Sequence, residues 1–275
     1  MLVRVISAVV ALGILFPVIV FSNTWALPAA AALVGIICLY EMFGCLKVRR
    51  NLWISIPFYL VAVFAPFAMR YMQDKTLMLA CLCACAGVLA MIVLTVSVFS
   101  HRKIPTTQSA SAYLTGIYII ASFTAIVYVR DSSDKGLFLL IMMFAAPWIT
   151  DTFAYLFGRK LGKHKLLPDV SPKKSIEGSI AGIIGCTLTI LAYAFVCSKV
   201  WEIQCNYLLL AALGVLLSIV GQIGDLAMSV IKREYNIKDY GKIMPGHGGA
   251  LDRFDSVLAV SIVLAVAEIF VNVFE

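Results

Sequence analysis

Long apolar segments separated by short polar segments run along the whole chain. About nine of them are long enough, or nearly so, to cross a hydrocarbon core of about 30 Å as helices. We predict spans at residues 3–21, 25–46, 52–69, 77–99, 111–129, 137–157, 176–198, 206–228 and 251–273. The first segment, with Arg4, has some features of a signal peptide, but it is long and its cleavage pattern is poor. The pattern predicts an all-α polytopic membrane protein with about nine transmembrane helices.

The composition supports this prediction. Hydrophobic residues make up 62% of the chain and charged residues 13%, which is about half the usual quarter. A soluble core does not need so much apolar surface, so the composition excludes an ordinary soluble protein. The eight cysteines lie mostly within or at the ends of spans, where they serve as small apolar residues, and they predict no disulfide framework.

Lysine and arginine are distributed unevenly between the predicted loops. With the N-terminus in the cytoplasm, 17 of the 22 basic residues lie on the inner side. Because basic residues concentrate in cytoplasmic loops, we predict a cytoplasmic N-terminus and a C-terminus outside. The net charge of +7 then belongs to the face where lipid headgroups and nucleotides are anionic.

The two halves of the chain differ in their ionisable groups. Residues 1–135 form transmembrane helices joined by short loops, with Glu41 as an exception that we interpret as an interfacial carboxylate beside Lys47. Residues 136–275 carry two cytoplasmic loops, 158–175 and 229–250, rich in Lys, Gly and Pro, with acids in or beside the neighbouring spans. An Asp at membrane depth costs roughly 2.5–3.5 kcal/mol and usually marks a functional cavity. We therefore predict that residues 136–275 are the catalytic region.

The eighth span ends in a polar helical face. Asp225, Ser229 and Lys232 are spaced at i, i+4 and i+7, which places them on one side of a helix. Gly221 and Gly224 on the same helix allow close approach of another backbone or a ligand. Asp225 is either a metal ligand or relay carboxylate, or an interfacial acid paired with Lys232.

The ninth span begins with two acids that follow a glycine-rich stretch. Asp252 and Asp255 are three residues apart, hence on one face, and Gly246, His247, Gly248 and Gly249 precede them. A helix N-terminus offers free N–H groups to phosphate oxygens. With Asp225, the two carboxylates could hold divalent cations. The simpler interpretation is an acidic first turn balanced by Arg253.

A basic segment precedes the seventh span. The order of Ser171 and Pro172 predicts a helix start, with Ser171 as N-cap and Pro172 in the first helical position. Lys173 and Lys174 would then lie at the cytoplasmic mouth, where they could bind a polyphosphate. Glu177 lies at i+4 from Lys173, so a structural ion pair is the alternative.

Asp151 lies within the predicted sixth span and should face the helix bundle, because a lipid-facing Asp is disfavoured. It could equally pair with one of the lysines in the following loop. Taken together, converging carboxylates, basic residues at a cavity mouth and a glycine-rich helix start favour metal-assisted phosphoryl or nucleotidyl transfer.

The segment from Ser229 to Asp255, called the signature segment below, reads S-x-x-K-R-x4-K-D-x-G-x3-P-G-H-G-G-x-L-D-R-x-D. It resembles the signature of phosphatidate cytidylyltransferases (CDP-diacylglycerol synthases). D-T-x-A-Y from Asp151, S-P-K-K-S-I-E-G from Ser171 and the pair Gly224-Asp225 are also similar to that family in order and placement. The resemblance covers about residues 147–258, and the N-terminal half is similar only in its hydrophobic spans.

The resemblance implies a membrane enzyme that condenses CTP with phosphatidate to CDP-diacylglycerol and pyrophosphate. It implies Mg²⁺, held by Asp225 and Asp252, and leaves open a second cation such as K⁺. The implied catalytic residues are Asp225, Asp252, Lys232, Arg233, Lys238 and Asp255. The implied substrate-binding residues are Asp151, Ser171, Lys173, Lys174, Ser175, Glu177, Ser229, Asp239, His247, Gly248, Gly249 and Arg253.

The resemblance also implies a homodimer. We expect the lipid bilayer, and no nucleic acid, as the other partner, and a bacterial inner membrane with the active site facing the cytoplasm. Two alternatives stay open at this point. A CTP-dependent kinase of a lipid alcohol (polyprenol or phytol) would use a similar scaffold, although the full H-G-G-x-x-D-R-x-D run disfavours it. An ion-coupled transporter should carry its charges near the midplane in both halves, not in one half at one face.

Overall fold

The computed structural model describes residues 13, 15–100, 104–243, 248–271, 273 and 274. Residues 15–20 are helical, and eight helices follow. They are α1 (Ala26–Cys45), α2 (Leu52–Tyr71), α3 (Lys75–Phe99), α4 (Thr106–Asp131), α5 (Gly136–Leu161), α6 (Ile176–Val200), α7 (Tyr207–Glu234) and α8 (Leu251–Phe270). Strands β1 (Lys165–Leu167) and β2 (Ser171–Ser175) form a small antiparallel hairpin between α5 and α6. The all-α prediction is thus confirmed.

Seven of the described helices, α1 to α7, are long and apolar enough to cross a membrane. They correspond to the second to eighth predicted spans. The predicted first span lies largely outside the described residues. Helix α8 forms at the ninth predicted span but carries Asp252, Arg253 and Asp255 near its start and Glu268 near its end, and it is not among the seven. The orientation in the membrane stays a prediction.

Large apolar side chains cover much of the surface of these helices. Trp53, Phe99 and Leu208 are each more than three-quarters exposed, and α3 is largely unburied along its length. Such a surface is unfavourable in water and fits contact with lipid chains. The protein is therefore an integral membrane protein.

Two compact units make up the chain. The first comprises Met1–Asp131 and Tyr235–Phe254, and the second comprises Ser132–Glu234 and Asp255–Glu275. The unit boundaries fall within the signature segment, so its residues are divided between the two. The assignment of catalysis to residues 136–275 alone stays a prediction.

In the first unit, helices α1, α2 and α4 pack against one another. Phe43 of α1 meets Phe58 of α2 edge to face, with ring centroids 5.3 Å apart, and Gly116 of α4 leaves room for the Phe58 ring. Arg70 makes a two-pronged ion pair with Asp131 at 2.8 and 2.7 Å. These contacts join the ends of α2 and α4 and hold the apolar core in one arrangement.

In the second unit, α6 packs along α5 and α7. Small residues line these contacts: a Cβ added at Gly182 would lie 2.9 Å from the carbonyl oxygen of Thr150, and one at Gly214 would lie 2.9 Å from the Cα of Thr187. Close approach of this kind is typical of membrane helices, which associate through packing rather than through exclusion of water. The hairpin β1–β2 belongs to the same unit, so the helices and the hairpin carry the candidate site together.

Candidate active site

An ion pair in the second unit joins the hairpin to α7. The Nζ of Lys174, on β2, contacts Oδ2 of Asp225, on α7, and both side chains are about one-quarter exposed. Asp225 therefore pairs with a lysine that lies 51 positions earlier in the chain. The spacing in the sequence had indicated Lys232 as the simpler partner. Lys232 is itself buried, 8% exposed, and adds a second positive charge beside Asp225.

A second carboxylate lies against the first. The side chain of Asp255, 7% exposed, lies within hydrogen-bonding reach of the Asp225 carboxylate, and its Oδ1 accepts the N–H of Ser256 at 2.8 Å. Two carboxylates in contact repel each other unless a proton or a cation lies between them. Lys174 and Lys232 supply part of the compensating charge.

Gly224 makes this contact between the acids possible. A Cβ at this position would lie 2.7 Å from the Cβ of Ala259 and 3.0 Å from the carbonyl oxygen of Asp255. Because Gly224 has no side chain, α7 approaches α8 closely enough for Asp225 to reach Asp255. The predicted close approach at Gly224 is confirmed, and the approaching group is the backbone of α8.

The donor set fits a magnesium ion. Mg²⁺ is usually bound by one or two carboxylates together with water and substrate phosphates, and Asp225 and Asp255 provide two. Within the described residues, no group of three or more His, Cys, Asp and Glu side chains is close enough to hold a metal. Asp252, the other predicted ligand, belongs to the first unit, so its joint role with Asp225 stays a prediction.

A cavity of about 290 Å³ opens beside the ion pair in the second unit. It is lined by five of the predicted site residues, which are Asp151, Lys173, Lys174, Ser175 and Asp225. Asp151 is exposed rather than packed in the helix bundle, and it reaches the site through this cavity. Two lysines and two acids therefore place charged groups in a cavity whose lining is otherwise largely apolar.

Sequence reasoning missed Ser179 and Gln222, which also line this cavity. The hydroxyl of Ser179 donates to Oε1 of Gln222 at 2.5 Å, and Nε2 of Gln222 donates to the carbonyl oxygen of Ser179 at 3.4 Å. Gln222 also lies 3.5 Å from the hydroxyl of Ser218. The signal was available, because Gln222 is a polar residue within a span and lies three positions before Asp225, on the same helical face.

The predicted helix start at Ser171 and Pro172 is wrong. Both residues lie in strand β2, and helix α6 begins at Ile176 with Ser175 as its N-cap, which accepts the N–H of Gly178 at 3.2 Å. The missing N–H of Pro172 is tolerated because each strand of a two-stranded hairpin is an edge strand. Lys173 and Lys174 are therefore held on a strand and not on the first helical turn.

The alternative pairing of Glu177 with Lys173 is also wrong. Because Lys173 is not helical, it is not at i+4 on the same face. Oε1 of Glu177 instead contacts Nδ1 of His164 at 2.7 Å, and both carboxylate oxygens lie within 3.3 Å of the His164 backbone nitrogen. Glu177 fixes the entry of the hairpin and is not a lining residue of the cavity.

The end of α7 follows the predicted face. Ser229 and Lys232 are buried, whereas Arg233 is exposed and its Nε donates to the carbonyl oxygen of Val170 at 3.3 Å. Arg233 therefore connects α7 to the hairpin. Its predicted role in binding substrate phosphate stays a prediction.

In the first unit, Asp252 organises the segment before α8. Its Oδ2 accepts the N–H of Tyr240 at 2.8 Å and that of Gly249 at 3.0 Å. Gly248 has a φ of +87°, a conformation that favours glycine, and a Cβ there would lie 3.1 Å from Asp252 Oδ2 and 3.4 Å from Asp239 Oδ1. The glycines therefore let the backbone fold tightly around the carboxylates.

The other predicted residues of the signature segment differ in exposure. Lys238, Asp239 and Arg253 are exposed, and the two basic side chains are therefore accessible to an anionic substrate. His247 lies outside the described residues, and its predicted role stays a prediction.

Glu41 is a further residue that the sequence interpretation misplaced. It is not an interfacial carboxylate but is buried, 3% exposed. Its Oε1 accepts the N–H of Ala250 at 3.1 Å, and its Oε2 accepts that of Leu251 at 2.9 Å. An acid within an apolar span was the available signal, since such residues are seldom placed there without a partner.

Comparisons with known proteins extend the similarity beyond residues 147–258. The profile of the cytidylyltransferase family matches residues 2–271. A phosphatidate cytidylyltransferase of Staphylococcus epidermidis is 34% identical over 262 residues, and one of Staphylococcus haemolyticus is 34% identical over 271 residues. One of Staphylococcus aureus is 31% identical over 269 residues. Each comparison covers 94% of this chain and 96% of the relative. The chain belongs to the cytidylyltransferase family, a family of nucleotidyltransferases.

Proposed function

We propose that this enzyme transfers the cytidylyl group of CTP to phosphatidate, giving CDP-diacylglycerol and pyrophosphate. The relatives named phosphatidate cytidylyltransferase support the substrate pair, because they align with this chain over nearly their full length. The structural observation that supports it most is the ion pair of Lys174 with Asp225, which lies next to Asp255 and on the wall of a cavity lined by two lysines and two acids.

The proposed reaction joins two anions. A phosphate oxygen of phosphatidate forms a bond to the α-phosphorus of CTP, and the bond from that phosphorus to the bridging oxygen of the β-phosphate breaks. The electron pair leaves with pyrophosphate. A phosphate monoester is already an anionic nucleophile at neutral pH, so the reaction requires charge neutralisation and positioning more than a general base.

The described residues supply that neutralisation. Lys173 and Lys174 line the cavity, and Lys232 is a buried cation beside the acids. These lysines would hold triphosphate and lipid phosphate. Asp225 and Asp255 are the carboxylates that we assign to Mg²⁺, with Asp252 retained from the sequence prediction as a further ligand. When bound, Mg²⁺ would offset the negative charge of the polyphosphate.

The apolar surface of the helices fits the lipid substrate. The acyl chains of phosphatidate can stay in the bilayer while the phosphate enters the cavity that Lys173 and Lys174 line. We place the enzyme in a bacterial inner membrane with CTP arriving from the cytoplasm, in keeping with the distribution of basic residues and with the bacterial relatives. The proposal also includes a homodimer and leaves open a second cation such as K⁺, both of which the family resemblance implies.

The test uses the purified full-length protein in detergent with phosphatidate, Mg²⁺ and CTP labelled separately at the α- and γ-phosphates. We expect the α-label to enter the lipid and the γ-label to leave as pyrophosphate. A parallel reaction replaces phosphatidate with a polyprenol. Entry of the γ-label into that alcohol would identify a lipid-alcohol kinase instead.

A protein purified in the same way but carrying Asp225→Asn controls for contaminating activity. If this variant transfers as much α-label as the wild type, either the activity comes from a contaminant or Asp225 is not part of the active site. If neither label enters a lipid, the proposed function is wrong.

A further inference from the structure

A carboxylate from the N-terminal helix α1 reaches the start of α8 within the first unit. Glu41 lies 209 residues before Ala250, yet each of its two oxygens accepts one peptide N–H, from Ala250 at 3.1 Å and from Leu251 at 2.9 Å. Leu251 is the first residue of α8, and the first N–H groups of a helix have no partner within the helix. Glu41 therefore acts as the N-terminal cap of a helix to which it does not belong.

Two glycines of the signature segment make room for this side chain. A Cβ at Gly249 would lie 2.6 Å from Oε1 of Glu41 and 2.7 Å from its Cδ. At Gly241, a Cβ would overlap the same carboxylate and lie 3.1 Å from its Cγ. Any larger residue at either position would collide with Glu41. The absence of side chains at Gly241 and Gly249 is thus accounted for by the Glu41 carboxylate.

The contacts of Glu41 continue directly into those of Asp252. Glu41 accepts hydrogen bonds from the N–H groups of Ala250 and Leu251. Asp252 accepts hydrogen bonds from the N–H of Gly249, which directly precedes Ala250, and from that of Tyr240. Three consecutive peptide N–H groups are therefore divided between two carboxylates. A shift of the backbone at Ala250 would move Gly249 and with it the Asp252 side chain.

We propose that Glu41 is a positioning residue for the nucleotidyl transfer: by capping α8 it sets the backbone that orients Asp252. This inference rests on the proposed function for its catalytic consequence, whereas the capping itself can be measured without turnover. Its role requires a carboxylate. Gln has one acceptor oxygen, and its amide NH₂ would face a peptide N–H, donor against donor. Asp accepts both hydrogen bonds but is one methylene shorter and reaches the segment less well.

The first experiment measures amide hydrogen exchange in detergent for peptides covering residues 248–254, in the wild-type protein, in E41Q and in E41D. We expect exchange at these amides to rise by about 10- to 100-fold in E41Q, and by less in E41D, because hydrogen bonds to a charged group are lost. The control is Thr124→Val, which replaces another buried polar side chain of the first unit, whose hydroxyl donates to the carbonyl oxygen of Ile120 in its own helix at 2.8 Å. T124V should exchange like the wild type. Unchanged exchange in E41Q would overturn the inference.

The second experiment measures turnover per folded enzyme and the Mg²⁺ concentration for half-maximal activity. A positioning role predicts that E41Q loses about 10- to 100-fold in kcat and needs more Mg²⁺, with partial recovery in E41D. A merely stabilising role predicts fewer folded molecules of unchanged specific activity and unchanged Mg²⁺ dependence, and that result would refute the proposal. If the wild type itself transfers no cytidylyl group, the proposed function fails, and the exchange experiment still decides whether Glu41 holds the segment.

A double-mutant cycle tests the contact from the other side. Gly249→Ala should reduce activity and thermal stability because its Cβ overlaps Glu41. If that overlap is the cause, the same substitution should cost less in the E41D background, where the carboxylate is withdrawn. An equal cost of Gly249→Ala in both backgrounds would show that Glu41 is not what requires glycine at this position.

Discussion

Replacing Gly224 by Ala perturbs the packing of α7 on α8 by a single methyl group. The new Cβ would lie 2.7 Å from the Cβ of Ala259, whereas carbon atoms in contact are ordinarily about 3.5–4.0 Å apart. The two helices must therefore separate by about 1 Å or distort. Overpacking of this kind costs roughly 1–3 kcal/mol, and the better helix propensity of Ala offsets up to about 1 kcal/mol. We expect a net loss of stability between about zero and 3 kcal/mol.

The effect on activity should be much larger than the effect on stability. Asp225 follows Gly224 directly, and the carbonyl oxygen of Asp255 lies 3.0 Å from the added Cβ, so the separation acts on the contact between the two carboxylates. A displacement of about 1 Å at a reacting centre can cost on the order of 100-fold in rate. The measurement is α-label transfer from CTP to phosphatidate per folded enzyme, with the thermal midpoint recorded in the same detergent.

Gly87→Ala is the matched control. Gly87 also lies inside a membrane helix, α3, but a Cβ at this position would meet nothing within 4 Å. We expect wild-type activity and an equal or slightly higher thermal midpoint for this variant. If Gly224→Ala keeps wild-type turnover, or if Gly87→Ala loses as much, the close approach of α7 and α8 does not control the site and the reasoning is refuted.

Three further predictions concern charge. Asp252→Asn should leave the protein folded, because the amide oxygen can still accept the N–H groups of Tyr240 and Gly249. The same substitution should remove most CTP-dependent activity. Near-wild-type turnover would exclude Asp252 as a metal ligand. Lys174→Met should reduce turnover by at least about 100-fold, since it removes one of the two cations beside the paired carboxylates and leaves only Lys232. Lys199→Met, which removes a lysine outside the site, should have no effect. Equal losses in both variants would contradict this prediction. Removal of divalent cations by a chelator should abolish activity and added Mg²⁺ should restore it, and full turnover in excess chelator would refute the metal-assisted mechanism.

The spans were predictable because each is decided locally. A helix must be long and apolar to cross a hydrocarbon core, and a continuous stretch of sequence shows whether this requirement is met. Eight of the predicted spans accordingly correspond to described helices, seven of which are long and apolar enough to cross a membrane. The i, i+4, i+7 spacing correctly placed Asp225, Ser229 and Lys232 on one face. The family could also be predicted from the sequence, because the signature segment has its characteristic residues at fixed spacings within one short stretch of the chain.

The start of α6 was mispredicted because two local patterns compete there. Ser171 followed by Pro172 permits a helix N-terminus, and so does Ser175 four positions later, because serine is a preferred N-cap residue. Pairing of β2 with β1 decided between them, since it holds residues 171–175 in an extended conformation. Strand pairing joins residues that are apart in sequence, and no propensity of the segment itself reveals it.

The sequence by itself determined the membrane architecture, the family and most of the chemically active residue types. Only the tertiary structure decided which charges meet: Lys174 with Asp225, Glu177 with His164, and Glu41 with the first peptide groups of α8. The physical reason is that hydrophobic periodicity and helix propensity act over one or two turns, whereas a buried charge is satisfied by whichever partner the packing brings within hydrogen-bonding distance. For Glu41 that partner lies more than 200 residues away.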